Sequence, residues 1–158
     1  MISMVEKLVQ SLAEMGLTIS TAESCTGGMV ASTIIDVPGA SDVYNEGFIT
    51  YSNDAKMKYL NVSEEILENH GAVSEETVRE MALGCRKATG SDVAVVTSGV
   101  AGPGGGTVEK PVGLVYIGCA YKDIVEVKAF RFEGDRTSVR KQATEEAIRM
   151  AMELIENQ

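Results

Sequence analysis

The segment Val93-Ala94-Val95-Val96-Thr97 constrains the fold of this chain more than any other stretch. It is a continuous apolar run that gives way at once to Ser98-Gly99-Val100-Ala101-Gly102-Pro103-Gly104-Gly105-Gly106. Such a run, too short for a helix and closed by glycines and a proline, reads as a buried strand feeding a loop. A buried strand has to be covered, so the rest of the chain must supply helices.

It does so in alternation with further strands. Met4, Val5, Leu8, Leu12 and Met15 recur at helical spacing, and Gly16 stands where a helix closes in the left-handed conformation. Leu17 to Ser20 reads as a short strand. Ser24 to Ile35 reads as a helix ended by Pro38-Gly39, which places Ser24 at a strand-to-helix junction. Gly47 to Tyr51 is rich in β-formers, and Ser52-Asn53-Asp54 supplies an N-cap and an acidic first turn for a helix through Lys56 to Leu60. Ser63 to Asn69 predicts a short helix closing near Gly71. A longer one opens at Ser74, with the stripe Val78, Met81, Ala82, Cys85 and Ala88. Val112 to Tyr121 and Ile124 to Phe132 flank Lys122-Asp123, a tight hairpin turn that makes part of the sheet antiparallel. The last helix runs from about Arg136 to Glu156, with Val139, Ala143, Ala147, Met150, Ala151 and Leu154 on one face. Interleaving on this scale predicts an α/β fold, three layers α/β/α around a mixed, mostly parallel sheet.

Composition narrows the function. At 158 residues one domain and one core are expected, with no second domain over 1–158. No apolar run is long enough to cross a bilayer, so no membrane partner is expected. The start, Met1-Ile2-Ser3-Met4-Val5-Glu6-Lys7, lacks the basic and apolar regions of a signal peptide, and a cytoplasmic location is the expectation. Cys25, Cys85 and Cys119 are an odd count without a CxxC pair, against a disulfide framework or a structural zinc site. A net charge of -9 opposes nucleic-acid binding. Eight methionines and a long terminal helix leave room for a homo-oligomer.

Four features can carry chemistry. Ser24, in Thr21-Ala22-Glu23-Ser24-Cys25-Thr26-Gly27-Gly28, reads either as a helix N-cap or as a nucleophile beside unpaired N–H groups that stabilise an oxyanion. Cys25 is a rival nucleophile or a small core residue. The base is open. His70, the only histidine, stands where it could cap a helix before Gly71. Lys56 follows a strand end as Ser24 does, and it is either solvated or buried and neutral enough to take a proton. The Ser98–Gly106 loop allows close backbone approach to a ligand, or it is a flexible connection. Arg136 and Arg140, placed early in a helix against its dipole, read as an anion site or as salt-bridge partners of Glu133 and Asp135.

Taken in order, Thr21-Ala22-Glu23-Ser24-Cys25-Thr26-Gly27-Gly28, Tyr51-Ser52-Asn53 with Lys56, His70-Gly71-Ala72-Val73-Ser74-Glu75, Ser98-Gly99-Val100-Ala101-Gly102-Pro103, Lys110-Pro111-Val112-Gly113 and Gly134-Asp135-Arg136 resemble the CinA C-terminal domain family, which includes nicotinamide-nucleotide amidohydrolases. The likeness covers nearly the whole chain. It implies a three-layer domain with about five strands. It implies hydrolysis of nicotinamide mononucleotide to nicotinic acid mononucleotide and ammonia by a serine–lysine dyad, with no metal and no cofactor. The motif serine falls on Ser24 and the lysine on Lys56, with Tyr51 beside the lysine as a third catalytic residue. Thr26, Gly27, Gly28, Ser98, Gly99, Gly102, Arg136 and Arg140 would contact the pyridine nucleotide. Full-length CinA proteins carry a further N-terminal domain, and the resemblance implies a stand-alone form here. The alternatives are a nucleotide-binding regulatory module without turnover, a cysteine amidase using Cys25, and a metal hydrolase, for which one histidine leaves few nitrogen ligands.

Overall fold

A computed structural model describes all 158 residues. Helix α1 (Met4–Met15) opens on a reciprocal cap between Ser3 and Glu6 and closes at Gly16, whose φ of 69° is the left-handed stop expected there. Strand β1 (Ile19–Glu23), helix α2 (Met29–Ile35), strand β2 (Tyr44–Ile49) and helices α3 (Asn53–Leu60), α4 (Glu64–His70) and α5 (Glu75–Thr89) follow. Strands β3 (Val93–Gly99), β4 (Leu114–Tyr121) and β5 (Ile124–Arg131) then lead to helix α6 (Arg136–Glu156).

The strands form one sheet in the order β2-β1-β3-β4-β5. β1 pairs in parallel with both β2 and β3, while β3–β4 and β4–β5 are antiparallel. β4 alone therefore runs against the others, so the sheet is mostly parallel by strand direction, although its pairings divide equally. On one face α1, α2 and α6 pack over Ile19, Val93, Val95, Val115 and Ile117. On the other, α3, α4 and α5 cover Ala22, Ala94, Val96 and Ala120. These are the three layers. No helix is long and apolar enough to cross a membrane.

Several boundaries differ from expectation. Strand β2 is Tyr44–Ile49 rather than 47–51, since Tyr44 already pairs with Ile19 of β1 and the chain leaves the strand ahead of the Ser52 cap, and β4 starts at Leu114 rather than Val112. The first strand is Ile19–Glu23 rather than 17–20: flanked by partners on both sides, its polar side chains are buried with their hydrogen-bonding needs met inside the protein. The helix expected from Ser24 starts only at Met29, because Gly27 (φ 57°) and Gly28 (φ 103°) adopt left-handed conformations that a right-handed helix cannot include. Ser24 thus sits in a turn, and Gly28, with no side chain to cap, precedes the helix.

The topology gathers four chain segments at one edge of the sheet. β1, β2, β3 and β5 all point there, so the residues after each emerge side by side: Ser24, then Tyr51 to Lys56, then the glycine-rich loop, then Arg136. This is the edge where open α/β sheets bind ligands.

Candidate active site

Between these segments lies a cleft of about 350 Å³ lined by residues that include Ser24, Cys25, Tyr51, Lys56, Ser98, Gly99, Gly102 and Arg136. At its floor, the Nζ of Lys56 lies 3.1 Å from the Oγ of Ser24 and donates to the carbonyl of Thr50 at 2.8 Å. Local structure fixes both partners. Ser52 caps α3 by accepting from the N–H of Ala55, which places Lys56 on the helix's first turn pointing back to the sheet. The N–H of Ser24 donates to the carbonyl of Thr97 on β3, which pins the start of its turn.

Lys56 is 1% exposed and is among the largest fully buried side chains, and no carboxylate pairs with it. Burial penalises the ammonium and pulls its pKa down from 10.5 to about 8. About a tenth of the molecules therefore carry the neutral amine at pH 7. Ser24 is 8% exposed and opens into the cleft. An unprotonated amine at this distance can take the hydroxyl proton, which is the requirement for a serine nucleophile.

The rival groups are placed otherwise. The Cys25 thiol borders the cleft, but burial pushes its pKa up to about 11, so it stays a protonated, weak nucleophile at neutral pH. His70 lies at the end of α4, paired on the surface with Glu76 at 3.2 Å and absent from the cleft lining. No group of three or more His, Cys, Asp or Glu side chains is arranged to hold a metal ion.

The mouth of the cleft is built by Arg136 and the glycine-rich loop. Arg136 Nη1 donates to the carbonyl of Gly102 at 2.8 Å, and Nη2 donates to the hydroxyl of Tyr51 at 3.1 Å, tying opposite walls together. Tyr51 is 63% exposed and bonds Arg136 rather than Lys56. Neither Glu133 nor Asp135 pairs with Arg136, and Asp135 instead caps α6 through the N–H of Ser138. The N–H groups of Ala101, Gly102, Gly104 and Gly105 donate to no group of the protein, leaving a donor-rich rim. A side chain at Gly99 would run into Val115 and the carbonyl of Leu114, so the wall has to be bare backbone there. Ser98 lines the cleft while its hydroxyl donates to the carbonyl of Ala72 at 2.8 Å.

Four residues expected to touch the ligand stand behind Ser24 instead. Thr26 is fully buried, its hydroxyl 2.6 Å from Glu23 Oε1 and 2.8 Å from Thr97 Oγ1. Gly27 and Gly28 shape the turn and do not line the cleft. Arg140 donates from Nε to the carbonyl of Cys25 at 2.9 Å and from Nη2 to that of Thr26 at 3.1 Å, so its guanidinium is used in holding the turn. It sits one turn further along α6 than Arg136, which removes it from the rim. Sequence reasoning missed Glu23, Thr50, Ala72 and Val73. Ala72 and Val73 lay inside a family motif without a role being given to them, and Glu23 stood out as a carboxylate inside an otherwise small and buried strand.

Comparison with known proteins agrees with this architecture. The CinA C-terminal domain family matches residues 1–155. A Clostridium beijerinckii protein named as competence-damage inducible is 55% identical over 143 residues, 90% of this chain and 35% of its own. A CinA-like protein of Chloroherpeton thalassium is 48% identical over 154 residues, 95% of this chain and 37% of its own. The chain thus spans about a third of the length of these curated relatives. The crystal structure of a CinA superfamily protein from Klebsiella pneumoniae superposes with a TM-score of 0.94 at 34% identity, over 98% of this chain and 97% of that one. A competence/damage inducible protein of Agrobacterium tumefaciens gives 0.93 at 39%, over 99% and 98%. By sequence and by fold, this chain belongs to the CinA C-terminal domain family.

Proposed function

We propose that the chain hydrolyses the carboxamide of nicotinamide mononucleotide, releasing ammonia and nicotinic acid mononucleotide, as a step in pyridine nucleotide recycling. The observation that carries the reading is the buried contact between Lys56 Nζ and Ser24 Oγ, with the amine's pKa brought down to about 8. Neutral Lys56 accepts the Ser24 proton as Oγ attacks the carboxamide carbon. The carbon–nitrogen bond then breaks, and the Lys56 ammonium gives its proton to the departing nitrogen, so that ammonia leaves and an acyl ester remains on Ser24. Water activated by the same amine cleaves the ester and restores both groups. The backbone N–H of Cys25, next to the nucleophile, and free N–H groups of the glycine-rich loop stabilise the developing oxyanion. Arg136 and that rim bind the phosphate, an anion suited to a guanidinium and unpaired amides.

The test is ammonia release from nicotinamide mononucleotide by the parent protein beside Ser24→Ala and Lys56→Ala. The reading expects steady release by the parent and a loss on the order of a thousandfold or more in each variant. No release by the parent at saturating nucleotide rejects this substrate, and a Ser24 that is also unreactive toward an acylating or phosphonylating probe leaves a binding module.

A further inference from the structure

Adjacent residues of a strand point to opposite faces of the sheet, and at the end of β1 this separates two neighbours. Ser24 faces Lys56, on the side of α3. Glu23 faces α2, where it is 1% exposed. A carboxylate in that position is costly unless its oxygens are fully engaged. They are: Oε1 accepts from the N–H of Val30 at 2.8 Å and from the Thr26 hydroxyl at 2.6 Å, and Oε2 accepts from the N–H of Ala31 at 3.0 Å. Gly28, at the N-cap of α2, has no side chain to satisfy those amides, so a residue five positions earlier does it. One carboxylate thereby spans both ends of the turn 24–28. The Thr26 hydroxyl extends the link to Thr97 on β3, whose carbonyl in turn accepts the N–H of Ser24.

We propose that Glu23 is a positioning residue for the nucleophile: its buried carboxylate, bonded to Thr26, Val30 and Ala31, holds the left-handed turn that aims Ser24 at Lys56. This rests on the reading of Ser24 as the nucleophile. Glu23 does not touch the substrate and acts on Lys56 only through geometry. A turn with two left-handed glycines has many conformations when released, and a shift of about 1 Å in a reacting group is enough to lower a rate on the order of a hundredfold. Glutamine in its place keeps the volume but offers one oxygen to three donors.

The test follows phosphonylation of Ser24 by a fluorophosphonate probe, read by mass spectrometry, which needs no knowledge of the natural substrate. Ammonia release from nicotinamide mononucleotide is measured in parallel on Glu23→Gln, Thr26→Val and Thr26→Ser. Glu23→Gln and Thr26→Val are expected to label about tenfold or more slower than the parent. They are expected to lower kcat with little change in KM and to leave the midpoint of the pH–rate curve where it is. Thr26→Ser, which keeps the hydroxyl, recovers the rate to within about threefold. Should Glu23→Gln fail to fold, the contrast between the two Thr26 variants decides. Folded Glu23→Gln and Thr26→Val proteins that label at the parent rate overturn the proposal, and so does a displaced pH midpoint in Glu23→Gln, which would make the carboxylate an electrostatic partner of Lys56. The two possible failures are separable. A parent that is labelled but releases no ammonia rejects the assigned substrate and leaves the labelling comparison intact, whereas an active parent with unaffected variants rejects only the positioning role.

Discussion

Replacing Lys56 by methionine should make the protein more stable at neutral pH while removing its activity. The lysine side chain is buried without a charged partner, and its pKa falls from 10.5 to about 8. At about 1.4 kcal/mol per unit, keeping the ammonium in the fold below pH 8 costs about 3 kcal/mol. Between pH 8 and 10.5 the unfolded chain binds a proton that the folded one does not, so this contribution to stability rises with pH across that window and is constant below it. By pH 9.5 about 2 kcal/mol of the cost is recovered. Methionine fills a similar volume without charge, but it leaves the Thr50 carbonyl without its donor, a loss of about 1–2 kcal/mol. The net expectation is Lys56→Met more stable than the parent by about 1–2 kcal/mol at pH 7, with the advantage gone or reversed by pH 9.5. Urea unfolding of both proteins at the two pH values measures this. The cysteines, whose thiols burial also perturbs, lower stability as pH rises above 9, but they are present in both proteins and drop out of the difference. A variant less stable than the parent at pH 7, or a difference that does not change with pH, would refute the claim that Lys56 is held against the cost of burying its charge.

Three further outcomes follow from the site and one from the packing of α5 on α3. The rate of ammonia release should climb with pH along a limb whose midpoint lies near 8, where Lys56 loses its proton; a flat profile between pH 6 and 9 would remove Lys56 as the base. Cys25→Ala should keep activity within about tenfold of the parent because a thiol with a pKa near 11 is not the nucleophile, and turnover abolished in this variant but retained in Ser24→Ala would reverse the assignment. Arg136→Ala removes the tie between Gly102 and Tyr51 as well as a rim cation, so KM for the nucleotide should rise about tenfold or more with a smaller change in kcat; an unchanged KM would place the phosphate elsewhere. Gly84→Ala should destabilise the fold by about 1–3 kcal/mol in urea titration, since the new methyl meets the Leu60 carbonyl where α5 crosses the end of α3.

The order of elements was legible because it rests on local signals. The capped α1, the α3 cap at Ser52, the stripe of α5 and the hairpin at Lys122-Asp123 depend on neighbours within a few residues, and these elements form where the patterns place them. The start of α2 was not legible. Ser24 looks like a cap, and the two glycines after it are equally compatible with a helix start until the carboxylate of Glu23 selects the later one. Among site residues, the pairing of Ser24 with Lys56 joins positions 32 apart along the chain. Sequence pattern alone left each of them between a structural and a chemical role, and the family resemblance singled them out. Arg136 and Arg140 show the limit of reading charge from position. They lie four apart on one helix, yet one reaches the cleft and the other is taken up by carbonyls of the nucleophile turn, a division set by tertiary contacts that spacing does not encode.

The most direct examination of the dyad is acid quenching of the parent protein during turnover of nicotinamide mononucleotide, followed by peptide mass mapping. A covalent acyl nucleotide on the peptide that carries Ser24, missing in Ser24→Ala, is the predicted result. An adduct on Cys25, or ammonia release that continues unchanged in Ser24→Ala, would contradict the account.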